Sequence, residues 1–134
     1  MKISHIALYV KDIEKVKEFY KKYFHAMDNE KYQNVKTGLE TYFLSFEGSE
    51  TKLEIMTRPE NAERQNMRFS NSADISLGYI HLAISLGTKA KVDELTAKLE
   101  DDGYIVLSDP RITGDGYYES CVLDPENNQI ELTE

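Results

Sequence analysis

The chain repeats its own order of elements, and that repeat restricts the possible folds more than any other feature of the sequence. An apolar run at 3–10, containing SHIALYV, is followed by the capping candidate Asp12 and then by Ile13, Val16, Phe19, Tyr20 and Tyr23 at helical spacing. YIHLAISL at 79–86 is followed in the same way by Thr88 and by Val92, Leu95 and Leu99, with Gly103 as the stop. Each strand–helix pair then leads into strand-like segments joined by turn residues. These are TYFLSF, EGSE and TKLEIM in the first half, and YYESCVL, DPENN and QIELTE in the second. The order predicts two copies of one unit, the first over about 1–57 and the second over about 78–134. A polar, proline-bearing connector at about 58–77 joins them.

The 134 residues suit a single domain of two such units, 1–134, with enough chain to bury a core. A formal charge of −8 with scattered Lys and Arg disfavours nucleic acid and anionic membrane as partners. Cys121 is the lone cysteine, so no disulfide forms within the chain, as expected in a reducing compartment. No signal-like segment and no run of membrane-spanning length is present, which points to a soluble cytoplasmic protein.

The repeat pairs histidine with histidine and glutamate with glutamate. His5 precedes Asp12 by seven residues, as His81 precedes Thr88; Glu54 follows His5 by 49 residues, and Glu131 follows His81 by 50. Alone, a strand glutamate usually points to solvent, and a strand-end histidine usually bonds a neighbour or water. Two of each at matching positions of a duplicated unit call for one explanation. A carboxylate among apolar strand neighbours is costly unless it is paired or holds a cation. If the units pack by pseudo-two-fold symmetry, His5, Glu54, His81 and Glu131 can converge. Two imidazoles and two carboxylates suit a divalent Ni, Zn, Co, Mn or Fe ion. His25 has no counterpart in the second half and is expected at the surface.

With SHIALYV and YIHLAIS opening the halves and KLEIM and LDPENNQIELTE closing them, the chain resembles the vicinal oxygen chelate superfamily over essentially its whole length. The resemblance is strongest over DP-x-x-N-x-IEL at 124–132. It implies an α+β fold of two βαβββ modules whose curved mixed sheets form a cleft around a metal, often in a homodimer with sites shared between chains. The His–Glu–His–Glu set is most similar to that of glyoxalase I. This implies a lyase or isomerase acting through an enediolate on an α-oxoaldehyde–thiol adduct or a related vicinal-oxygen substrate, with Glu131 or Glu54 as the base. Where glyoxalase I keeps an arginine and an asparagine for glutathione, this sequence has Tyr9 and Arg58, so another thiol or a thiol-free oxoacid stays open. Two alternatives remain. One is a fosfomycin-type antibiotic-modifying enzyme, for which Lys52 and Arg58 are the available cations; the other is a metal-free drug-binding resistance protein.

Strand alternation from the expected ligands puts Tyr9 and Arg58 on the cleft face. For YYESCVL the resemblance favours the set with Glu119 and Cys121 inward. Tyr9, Arg58, Glu119 and Cys121 are therefore the expected substrate-binding residues.

Overall fold

The computed structural model describes residues 1–60 and 78–134. The first module runs β1 (His5–Tyr9), α1 (Ile13–Phe24), β2 (Met27–Asp28), β3 (Tyr32–Asn34), β4 (Leu39–Ser45) and β5 (Lys52–Thr57). The second runs β6 (His81–Ser85), α2 (Lys89–Asp101), β7 (Val106–Ile112), β8 (Tyr118–Leu123) and β9 (Gln129–Thr133). The fold is α+β, with two βαβββ-like modules forming mixed sheets.

Both helices start where the sequence places their caps. The Asp12 carboxylate accepts from Lys15 N at 2.9 Å, and Thr88 Oγ1 accepts from Lys91 N at 3.3 Å. Helix α1 ends at His25, which takes a left-handed conformation (φ 53°) so that Ala26 N reaches back to Tyr20 O. The exposed histidine thus has a structural position. Helix α1 buries Ile13, Val16, Phe19, Tyr20, Tyr23 and Phe24, while α2 buries Val92, Thr96 and Leu99. These side chains belong to one continuous core shared by the modules, and the Phe19 and Tyr104 rings meet across it at 4.9 Å between centroids.

The first sheet has the order β1-β5-β4-β2, with β3 also paired to β4; the second has the order β6-β9-β8-β7. In each, the opening strand lies parallel to the closing one, β1 to β5 and β6 to β9, and the remaining pairings are antiparallel. The opening strands are edges in both sheets; Ile6 in β1 and Ile80, the residue before β6, are 42% and 41% exposed. The expected connector lies outside the described residues from position 61 onward.

The turn of DP-x-x-N-x-IEL is a brace between the modules. The Asp124 carboxylate is buried and accepts from Glu126 N, Asn128 N and Asn128 Nδ2 at 2.8–2.9 Å, and from the Tyr20 hydroxyl of α1. Glu126 Oε1 accepts from Lys11 N at 3.1 Å and Asp12 N at 2.9 Å, at the positive end of the same helix. Nothing in the first module's EGSE turn repeats this.

Candidate functional site

Equal registers place the expected ligands. Ala7 stands opposite Glu54 in β1–β5, and Ala83 stands opposite Glu131 in β6–β9. Alternation then puts His5 on the face of Glu54, and His81 on the face of Glu131, away from the core. His5 Nε2 is 3.7 Å from Glu54 Oε2, and His81 Nε2 is 3.1 Å from Glu131 Oε2. The glutamates are the more buried partners, at 16% and 22% side-chain exposure. Ser4 Oγ and His5 Nδ1 share a hydrogen bond of 2.8 Å, and the Phe43 ring packs edge-on against the imidazole, centroids 5.5 Å apart. Phe43 faces Glu54 across β4–β5, so aromatic, imidazole and carboxylate share one patch.

The structure brings the four together as two pairs. Among the described residues, no three of the histidine, cysteine, aspartate and glutamate side chains stand where they could hold one ion. Each pair supplies one imidazole and one carboxylate at equivalent places of its module. That is half of the donor set a divalent ion takes, so the residues fit a metal as two half-sites.

Around His81 and Glu131 the second sheet collects further polar groups. Cys121 lies opposite Glu131, and Glu119 lies opposite Thr133, so both share the ligand face. Burial, followed by the Glu131 charge, holds the Glu119 carboxyl above the usual carboxylate range. Burial and the charges of Glu131 and Glu119 push the Cys121 thiol up to about 11, which keeps it protonated at neutral pH and a poor nucleophile. Tyr9 is exposed on the equivalent face of the first sheet, opposite Met56. Arg58 lies just past the end of β5 and is exposed.

Sequence reasoning missed Arg111. It sits in β7 opposite Glu119, with one guanidinium nitrogen donating to Ser108 Oγ and another 3.9 Å from Glu119 Oε1. Strand β7 carries Pro110 and two register shifts, which hide its pattern from a period-two reading. A cavity of about 210 Å³ lies between the opening strands of the modules, lined by Ile6, Leu8, Leu53, Ile80 and Leu82. Ile6, Leu8 and Leu53 alternate with the ligand positions and form its core-side wall, while His81 also lines it, so the cavity borders the second module's His–Glu pair.

A sequence model of the Glyoxalase/Bleomycin resistance protein/Dioxygenase superfamily matches residues 2–132. The chain belongs to this superfamily. Many of the superfamily's members are enzymes. The chain is 29% identical to Uncharacterized protein YqjT of Bacillus subtilis over 138 residues, covering 97% of this chain and 96% of that one. The glyoxalase family protein of Enterococcus faecalis superposes with a TM-score of 0.77 at 19% identity, covering 99% of this chain and 97% of that one. Glyoxalase I of Zea mays superposes with a TM-score of 0.74 at 20% identity, covering 98% of this chain and 44% of the longer plant protein. At these identities the structural likenesses establish the glyoxalase-like fold. No helix among the described residues is long and apolar enough to cross a membrane.

Proposed function

We propose that the protein is a metal-dependent lyase or isomerase of glyoxalase I type, acting on an α-oxoaldehyde–thiol adduct or a related substrate with neighbouring oxygens. The observation that carries this reading is the pair of His–Glu contacts at identical registers of two modules, His5 with Glu54 and His81 with Glu131. A shared centre is a reason for the contact to be kept in both copies of the unit. The fold likeness to maize glyoxalase I supports the same class.

These four side chains would hold the ion, and a second copy of the chain would bring one copy's His5–Glu54 beside the other's His81–Glu131. The exposed edge strands β1 and β6, with Ile6 in β1 and Ile80 just before β6 partly exposed, support such a homodimer. When bound, the divalent ion supplies Lewis acidity towards the substrate's oxygens. Glu131, held by His81, takes the proton from the substrate carbon and returns it to the neighbouring carbon. Glu54 is the alternative base. Phe43 and Met56 are the half-buried apolar side chains on the first module's side of this face.

The test combines metal analysis, solution mass and an isomerase assay with adducts of methylglyoxal and several thiols. About one divalent ion per site, a dimeric mass and turnover are expected. Glu131→Gln or Glu54→Gln should lower kcat by roughly 100-fold or more, the contribution of a positioned base, while the far-ultraviolet circular dichroism stays unchanged. Full activity in both variants would sink the scheme.

A further inference from the structure

The second module's sheet carries a cation that the proposed reaction leaves unused. Arg111 is the only lysine or arginine in the four strands β6 to β9. Ser108 faces Cys121 and Arg111 faces Glu119, so both lie on the sheet face that carries Glu131 and His81. On a regular strand, residues three apart point to opposite faces. Here the register slips between Ser108 and Arg111, the interval that holds Asp109 and Pro110, and the extra residue turns Arg111 back onto the site face.

The guanidinium is anchored without being used up. One nitrogen donates to Ser108 Oγ, while Nη2 stands 3.9 Å from the Glu119 carboxylate, beyond hydrogen-bond reach, and the side chain is 51% exposed. The first module has no guanidinium at the equivalent place, and its cation on the same face, Lys52, stands opposite His5 at the other end of the sheet. Opposite Thr41, the place corresponding to Arg111, stands Tyr32, and Phe43 occupies the place of Cys121. At these equivalent places one half-face is therefore aromatic, and the other carries a positive fork on the face of the expected ligands.

We propose that Arg111 selects substrates bearing a carboxylate, whose two oxygens match the planar fork. This names the substrate class of the isomerase reading and rests on it. Adducts of methylglyoxal with 3-mercaptopropionate and with neutral 3-mercaptopropionamide differ only in that group. The wild type should prefer the acid in kcat/KM by roughly 10- to 100-fold, the range for a hydrogen-bonded charge pair. Arg111→Gln should erase the preference through the KM of the acid and leave the amide unaffected, and Arg111→Lys should restore part of it. A preference retained in Arg111→Gln, or absent from the wild type, overturns the proposal. If neither adduct turns over, Arg111 is judged on binding alone. Succinate, and not succinamide, should then shift the protein's amide resonances in the wild type and not in Arg111→Gln; binding that ignores this substitution refutes the assignment.

Discussion

Replacing Asp124 by alanine should destabilise the protein out of proportion to the size of the side chain. The carboxylate is 3% exposed and accepts from two turn N–H groups, from Asn128 Nδ2 and from the Tyr20 hydroxyl. Tyr20 is 1% exposed, so water cannot replace its partner, and an orphaned buried hydroxyl costs about 1–3 kcal/mol. The three turn donors belong to half-buried residues and lose less, about 0.5–1 kcal/mol each. Part of this is returned, because burial holds the Asp124 carboxyl above its usual range and its removal ends that penalty. The net loss is about 2–4 kcal/mol, or roughly 6–15 °C in Tm for a domain of this size. Urea unfolding at fixed protein concentration, with the slope unchanged, gives the value. Tyr20→Phe alone should cost about 1 kcal/mol in the wild type and close to nothing in the Asp124→Ala background. If the two substitutions are additive, or if Asp124→Ala costs under about 0.5 kcal/mol, the brace is not what joins α1 to the second module.

Glu14 should set part of the acid limb of stability. Hydrogen bonds from Lys17 and Lys31, and from the Tyr42 hydroxyl, lower its carboxyl to about 2. Because the folded value lies below the unfolded one, its contribution is complete above about pH 4.5 and is lost as pH falls towards 2. With the side chain 48% exposed, solvent screening limits the contribution to about 1 kcal/mol, and Glu14→Gln should flatten the decline between pH 5 and 2 by about that amount. In the second module, Thr96 Oγ1 and Ser120 Oγ share a buried hydrogen bond of 2.6 Å. Thr96→Val strands the Ser120 hydroxyl and should cost about 1–3 kcal/mol, while Thr96→Val with Ser120→Ala should recover much of it in chemical denaturation.

The legible part of this molecule is the part that repeats. The helix caps (Asp12, Thr88), the helical stripes and the His–Glu pair each occur twice at nearly equal spacing, so each copy checks the other. The parallel registers Ala7–Glu54 and Ala83–Glu131 are the physical content of that equal spacing. What could not be read is where the modules differ. Strand β3 has three residues, too few for any period to show, and β7 contains a proline and two bulges, either of which disguises alternation. The turn DPENN signals a hairpin locally, but its partners Tyr20, Lys11 and Asp12 lie over a hundred residues earlier, and no local pattern reports them.

That division has a functional reason. Duplicated features supply what a symmetric task needs, which in the proposed centre is two imidazoles and two carboxylates. A substrate with two unlike ends needs the opposite, a face whose halves have diverged. Strand β7 is a place where divergence costs little, since it is one of the two outer strands of its sheet and a bulge there disrupts one ladder and not two. Both slips of register fall in that strand, Val106 still reaches the core, and Arg111 still reaches the site face. The edge strand can therefore change which side chains it presents while β6, β8 and β9 keep the register that positions His81 and Glu131.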